Sequence, residues 1–190
     1  MRIQQARKAD APAITQLIMT AMTPDCCLYY VGPNHTLDDF RRVMQALVER
    51  DDTQYSYVNA LVALDGKGEV LGTIVCYDGA LLHQLREPFI QAALSEFQQD
   101  HSAMDDETEA GEIYIDSLAV FPQYRNQGIA SQLLQAAIQQ ARDNKAPAIG
   151  LLVDKGNPNA ERLYTKLGFE YRNDATWGGH PMKHLQIKTS

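Results

Sequence analysis

The chain has 190 residues and a mass of 21.2 kDa, with 45% hydrophobic and 22% charged residues, which fits one soluble globular domain over residues 1–190. Its formal net charge of −7 argues against nucleic acid as a partner. No apolar run approaches the roughly 18 residues of a membrane-spanning helix, and the N-terminus lacks the apolar centre of a signal peptide, so we expect a cytoplasmic protein with no membrane partner.

The first half of the chain predicts a strand, two helices, a hairpin and a third helix. Residues 1–7 predict the strand, and Asp10 is placed to cap the helix that follows, with Pro12 in its first turn. The turn "DGKG" separates two runs rich in β-branched and aromatic residues, which is typical of a hairpin. The remaining assignments are a loop at 23–36, a helix near 37–50, hairpin strands at 55–65 and 69–78, a helix at 80–99 and an acidic surface loop at 105–112.

The second half alternates strands and helices before it closes with two strands. The predicted elements are a strand at 112–120, a helix at 128–143, a strand at 148–153, a short helix near 159–167 and strands near 169–173 and 180–187. A hairpin block followed by this order predicts a mixed sheet flanked by helices, in the α/β class.

The cysteines and the acidic loop have ordinary interpretations. The three cysteines are Cys26, Cys27 and Cys76, and their spacing matches neither a zinc site nor a redox pair. We therefore expect no metal and interpret the thiols as small, partly buried side chains, with a nucleophilic Cys26 or Cys27 as the alternative. The run "DDETEAGE" is interpreted as a solvated segment, with recruitment of cations as the alternative.

The segment "YRNQGIA" at 124–130 lies where a predicted strand gives way to a predicted helix. A helix start offers free backbone N–H groups and a positive dipole end, which together favour an anion. Gly128 allows close approach, Asn126 tolerates a left-handed conformation, and Arg125 can add charge-assisted bonds to a phosphate. The segment is interpreted as a cradle for an anion such as a pyrophosphate, with a purely structural turn as the alternative.

Two motifs in this region resemble those of the GNAT acyltransferase superfamily. Residues 125–130, "RNQGIA", match the acyl-CoA-binding pattern [RQ]-x-x-G-x-[GA], although Asn126 stands where glycine is common. About thirty residues downstream, "NPNAERLYTKLGF" is similar to the family's second motif. The strong resemblance covers about residues 112–170, and it implies a single-domain fold with a mostly antiparallel sheet and a splayed parallel strand pair.

The resemblance also implies acetyl-CoA as the acyl donor, with its pantetheine arm between the strands at 112–120 and 148–153. The arm would pair with the first strand as an added strand does, and the loop would hold the pyrophosphate. The residues that the resemblance assigns to the donor are Leu118, Ala119, Val120, Arg125, Asn126, Gln127, Gly128, Ile129, Ala130, Ser131 and Asn157.

Three residues are the candidates for proton transfer. Tyr164 matches the family's position for the acid that protonates the leaving thiolate, with packing of a short helix as the alternative. Strand alternation puts Glu112, Tyr114, Asp116 and Leu118 on one face, where a helix-covered strand should be apolar. Glu112 and Asp116 would lie about 13 Å apart, too far to share a proton. Asp116 is the preferred base or amine anchor, Glu112 would act through water, and structural hydrogen bonding is the alternative for both.

The acceptor is the least determined part of the sequence. Tyr29 and Tyr30 lie in a region that shapes acceptor binding in the family. His180 follows two glycines near the end of the chain and is a candidate to line the acceptor pocket, with a structural role as the alternative. The expected activity is transfer of an acetyl group from acetyl-CoA to an amine of a small molecule or peptide, by direct attack in a ternary complex. A non-catalytic acyl-CoA sensor, and an acyltransferase with another acyl group or a hydroxyl acceptor, are the alternatives. Dimerisation is a family-level expectation.

Overall fold

A computed structural model describes residues 1–189. Seven strands occur in this range, namely β1 Arg2–Gln5, β2 Ala60–Leu64, β3 Val70–Asp78, β4 Ile113–Val120, β5 Ala148–Asp154, β6 Glu170–Trp177 and β7 His180–Lys188. They form one sheet in the order β1-β2-β3-β4-β5-β7-β6. Neighbours are antiparallel except for β4 and β5, which are parallel. The mixed, mostly antiparallel sheet confirms the predicted fold class.

Helices pack on both faces of the sheet. They are α1 Ala11–Met22, α2 Pro24–Val31, α3 Leu37–Val48, α4 Leu82–Phe97, α5 Ile129–Asp143 and α6 Pro158–Lys166. Alternate residues of β2 divide between two cores, since Val62 and Leu64 face the first and Ala63 faces the second. The first core includes buried residues of α1 to α4, and the second lies beneath α5. Within residues 1–189, no helix combines the length and the apolar character needed to cross a membrane.

The predicted loop at 23–36 is wrong in its first part, because α2 occupies Pro24–Val31. The Thr23 hydroxyl accepts a hydrogen bond from the Cys26 N–H (3.4 Å), and Pro24 occupies the first helical position, where its missing N–H has no cost. A Thr-Pro start is therefore the helix signal that the loop assignment overlooked.

Two predictions about the N-terminal half need correction. The Asp10 side chain does not cap α1, because its carboxylate accepts a hydrogen bond from the Arg7 N–H (2.8 Å) and closes a preceding 3-10 turn. The first hairpin strand begins at Ala60 and not at residue 55, since Tyr57–Asn59 form a 3-10 turn that the Ser56 hydroxyl caps.

The acidic segment at 105–112 is only partly a solvated loop. The Glu107 side chain is 4% exposed and is paired with Arg86 of α4, and Glu112 is buried as well. The solvated interpretation is therefore wrong for both glutamates, because each has several hydrogen-bond donors inside the protein that replace water.

The parallel strands β4 and β5 pair only at their beginnings. Their register joins Ile113 to Ile149 and Tyr114 to Gly150, while both strands continue for several residues beyond these pairs. The edge of β4 that faces β5 is therefore free of β5 from Ile115 onward. This is the splayed pair that the family resemblance implied.

A β-bulge interrupts β4 at Asp116. Val75 of β3 pairs with Ser117 and the next residue, Cys76, pairs with Ile115, so that Asp116 is the extra residue. The bulge reverses the alternation after this point, because Leu118 packs with the core beneath α5, as Ile115 does. The expectation that Leu118 shares a face with Asp116 is wrong for this reason.

Candidate active site

A cavity of about 580 Å³ opens where β4 and β5 separate. Its walls come from β4, the loop before α5, the first turn of α5, and α6, with Thr20 and Ala21 of α1 closing one side. The cavity brings together all predicted donor-binding and catalytic residues except Glu112 and Gln127. These residues are Asp116, Leu118, Ala119, Val120, Arg125, Asn126, Gly128, Ile129, Ala130, Ser131, Asn157 and Tyr164.

The loop at one end of the cavity has the conformation that an anion cradle requires. Asn126 has φ +60° and Gly128 has φ +76°, so both lie in the left-handed region. A Cβ on Gly128 would have only the end of the Gln132 side chain within 4 Å, which leaves its surroundings open. The Arg125 Nε donates to the Val120 carbonyl (3.2 Å) and ties the loop to the end of β4. Gln127 is an exposed residue of the same loop.

Asp116 lies at the other end of the cavity and is fixed by two donors. The Ser117 hydroxyl donates to Asp116 Oδ1 (2.7 Å), and the Gln54 amide donates to Asp116 Oδ2 (3.1 Å). The pKa of Asp116 is raised to about 7, chiefly by burial and then by the nearby Glu107 carboxylate. The two hydrogen bonds and the Arg86 charge oppose this rise. A carboxylate with such a pKa is suited to accept a proton near neutral pH.

Behind Asp116 lies a buried polar cluster that sequence reasoning missed. Glu107 accepts hydrogen bonds from the Tyr77 hydroxyl and the Trp177 indole, both at 3.0 Å, and it is ion-paired with Arg86. The only signal in the sequence is that Arg86 falls on the apolar stripe of α4, between Leu82 and Phe89. A charge in such a stripe points to a buried partner, but it does not say which.

Glu112 lies away from the cavity and is already engaged. Its carboxylate accepts from the Thr108 hydroxyl (2.7 Å), the Gln186 amide (2.9 Å) and His184 Nε2 (2.9 Å). Burial acts to raise the pKa of Glu112, but these hydrogen bonds outweigh burial and lower it. Gly150 of β5 is required beside it, because a Cβ there would overlap the Glu112 carboxylate.

Tyr164 and Asn157 face the cavity from α6. The Tyr164 ring packs edge-on against Phe169 with the centroids 5.9 Å apart, and burial raises the pKa of its phenol. It therefore stays protonated at neutral pH. The Asn157 side-chain oxygen accepts from the Ala160 N–H (3.1 Å) and caps α6, so its amide nitrogen remains for a ligand.

The three predicted acceptor residues lie in different places. Tyr30 is a core residue, packed edge-on against Phe89. Tyr29 is 70% exposed and lines a separate surface cavity beside α2. His180 is exposed at the start of β7, with its Nδ1 3.7 Å from a carboxylate oxygen of Asp154. The Tyr29 and Tyr30 rings contact each other edge-on with their centroids 5.6 Å apart. The acceptor role of all three residues stays a prediction.

The cysteines match the interpretation as structural thiols. Burial raises the pKa of Cys26, Cys27 and Cys76, with Cys27 reaching about 12. A thiol with a raised pKa is a poor nucleophile at neutral pH, because only the thiolate attacks. Within residues 1–189, no group of three or more side chains is arranged to bind a metal ion.

Comparison with known proteins finds acetyltransferases among the similar sequences and structures. The chain is 34% identical to a mycothiol acetyltransferase of Nocardiopsis dassonvillei over 70 residues, which span 37% of this chain and 21% of that relative. A crystal structure of an acetyltransferase superposes with a TM-score of 0.77 and 28% identity, over 100% of both chains. An N-acetyltransferase from Staphylococcus aureus Mu50 superposes with a TM-score of 0.79 and 26% identity, over 98% of this chain and 100% of that one. The family model of the acetyltransferase (GNAT) family matches residues 19–169, and the chain therefore belongs to this family.

Proposed function

We propose that this acetyltransferase moves an acetyl group from acetyl-CoA to an amine of a small molecule or peptide. The observation that carries the proposal is the cavity in the β4–β5 gap, which joins the anion-cradle loop to Asp116 and Tyr164. The loop fits the pyrophosphate because its glycine leaves room and the first turn of α5 presents free N–H groups. The open edge of β4 fits the amides of the pantetheine arm, which would pair there as an added strand does.

The chemistry follows from the two proton-transfer groups at the cavity. The donor supplies a thioester, whose carbonyl carbon the amine nitrogen attacks directly in a ternary complex. The C–N bond forms, the C–S bond breaks, and the amine proton passes to Asp116. Tyr164 gives its proton to the leaving thiolate, and the two side chains regain their starting states by exchange with water. Glu112 is the weaker candidate for the base, since three donors engage its carboxylate and its pKa is lowered.

We expect saturable binding of acetyl-CoA that weakens at least tenfold when the ligand is dephosphorylated pantetheine, because the cradle then has no anion to bind. Isothermal titration calorimetry of the purified protein measures both affinities. Gly128→Ala should weaken acetyl-CoA binding as well, since φ +76° is strained for alanine. The matched control is Gly68→Ala, which has a comparable strain at φ +89° in the distant β2–β3 turn. Equal affinity of the two variants, or no binding by the wild type, would contradict the proposal.

Tyr164→Phe should slow turnover about tenfold and leave the affinity for acetyl-CoA nearly unchanged, because the variant keeps the ring and loses only the hydroxyl group that supplies the proton. The measurement is thiol release from acetyl-CoA in the presence of the amine that a panel of amines identifies. Tyr171→Phe is the control, since Tyr171 is exposed on β6. Unchanged turnover in Tyr164→Phe would remove this residue from the mechanism.

A further inference from the structure

Gln54 is a buried glutamine that bridges two carboxylates. Its Nε2 donates to Asp116 Oδ2 at 3.1 Å and to Glu107 Oε1 at 3.4 Å, and the residue is 1% exposed. Its Oε1 is buried and has no hydrogen-bond partner among residues 1–189. A buried acceptor without a donor costs stability, so this arrangement calls for an explanation beyond packing.

The two carboxylates account for the orientation of the amide. In the opposite orientation, Oε1 would face Asp116 and Glu107, and three acceptors would meet without a proton between them. The Gln54 amide therefore keeps its donor on Asp116 for as long as Asp116 is ionised, and the unpartnered oxygen is the consequence.

Glu107 is held at the far side of this amide by groups from three other elements. Tyr77 of β3, Arg86 of α4 and Trp177 of β6 all donate to its carboxylate. These contacts fix a second negative charge behind Asp116 in a place that water does not reach. Arg86 is ion-paired with Glu107 and with Asp106 (3.3 Å), and none of its hydrogen bonds within residues 1–189 goes to Asp116, so it pairs with Glu107 more directly than with Asp116.

We propose that Gln54 and Glu107 are positioning residues for Asp116, Gln54 by orienting its carboxylate through the bridging amide and Glu107 by placing a fixed negative charge behind it. This inference rests on the proposed role of Asp116 as the base. The two residues act in opposite directions on the proton affinity of Asp116: the charge of Glu107 increases it, and the hydrogen bond from Gln54 decreases it.

Other groups also surround Asp116, and a test must separate their effects. Those that interact with it electrostatically are Tyr30 of α2, Tyr55, Cys76 and Tyr77 of β3, Arg86 of α4, and Tyr114 of β4. Burial raises the pKa of each of these tyrosines and of the thiol, which favours their neutral forms and leaves Glu107 and Arg86 as the groups whose charges act on Asp116.

The experiment is a pH titration of the Asp116 side chain by NMR in the full chain, labelled with ¹³C-aspartate and with no ligand added. The Asp116 carboxyl signal is identified as the one that Asp116→Asn removes. We expect a wild-type midpoint at about 7. Glu107→Gln should lower it by about one unit, and Gln54→Leu should raise it by about half a unit or more. A fall from 7 to 6 increases the ionised fraction at pH 6 roughly fivefold.

The matched control is Glu109→Gln, which makes the same charge change at an exposed position two residues away and should leave the midpoint unchanged. Opposite shifts of the Asp116 midpoint in the two variants support the inference, because a general loss of packing would move both midpoints in the same direction. A wild-type midpoint near 4, no shift in either variant, or shifts of the same sign would overturn it. If Glu107→Gln does not fold, Gln54→Leu decides alone: a raised midpoint supports the inference, and an unchanged one overturns it.

The titration needs neither acetyl-CoA nor an acceptor, so its failure can be told apart from failure of the proposed function. Opposite shifts in a protein that does not bind acetyl-CoA would show that Gln54 and Glu107 control the proton affinity of Asp116, and would refute the proposed function alone. In an active enzyme, the acid limb of kcat/KM should move with the Asp116 midpoint in both variants.

Discussion

Replacing Asp116 with asparagine is expected to slow acetyl transfer about 100-fold and, at pH 8, to raise the free energy of unfolding by about 4 kcal/mol. The pKa of Asp116 lies at about 7 in the folded protein, against an ordinary value of 3.8. The stability that such a group contributes is fully present below pH 4 and is lost as the pH rises through 7. Asparagine cannot ionise and escapes this loss, so the gain in stability should grow between pH 4 and 7 and level off above.

Urea denaturation at several pH values measures this gain, and an assay of thiol release measures the loss of turnover. Asp39→Asn is the contrasting control, because hydrogen bonds from the Thr36 N–H and hydroxyl lower the pKa of Asp39 at the start of α3. The stability that the Asp39 carboxylate contributes is present above its ordinary pKa and is lost as the pH falls. Asp39→Asn should therefore lower the free energy of unfolding at pH 7. A stability gain for Asp116→Asn that does not change with pH would contradict the argument.

Arg86→Met is expected to lower the free energy of unfolding by about 3–5 kcal/mol, because it leaves the buried Glu107 carboxylate without its cation. Both side chains are nearly inaccessible, at 3% and 4% exposed. Arg42→Met removes an arginine that pairs with Glu96 on the surface, at 63% and 43% exposure, and should cost less than about 1 kcal/mol.

Chemical denaturation at pH 7 compares the two arginine variants. The double variant Arg86→Met/Glu107→Leu removes both buried charges and should recover part of the loss, since breaking a buried pair costs more than replacing it by apolar groups. Equal losses for Arg86→Met and Arg42→Met would show that the buried pair is not what stabilises this region.

Most elements from β4 onward could be predicted closely from the sequence because their signals are local, although β6 continues to Trp177, four residues beyond its predicted end. The helix predicted at 128–143 is α5, Ile129–Asp143, and the strand predicted at 148–153 is β5, Ala148–Asp154. Periodicity, turn residues and a glycine at a helix start all lie within a few residues of what they determine. The donor side of the candidate site follows from the same stretch of sequence.

The surroundings of the proposed base could not be predicted, because they are assembled from distant segments. Gln54 lies 62 residues from Asp116 and 53 residues from Glu107 along the chain. The bulge at Asp116 inserts one residue into the pairing of β4 with β3. A prediction of strand faces from alternating residues assumes that no such insertion occurs, so it placed Leu118 on the wrong face. Arg86 on the apolar stripe of α4 is a local sign of a buried partner, but only the folded chain identifies that partner as Glu107.

The small number of residue pairs between β4 and β5 has a consequence for local unfolding of the sheet. Only the two residue pairs between β4 and β5 join strands β1 to β4 to strands β5, β7 and β6 in the sheet that residues 1–189 form. Elsewhere the ladders are longer, with seven pairs between β5 and β7. Backbone amides of β5, β7 and β6 should therefore exchange with deuterium as one cooperative unit, less protected than β2 and β3. A ligand that lies between β4 and β5 and contacts both strands would couple the two groups of strands. Slower deuterium exchange of the β5 amides should therefore report that the ligand is bound.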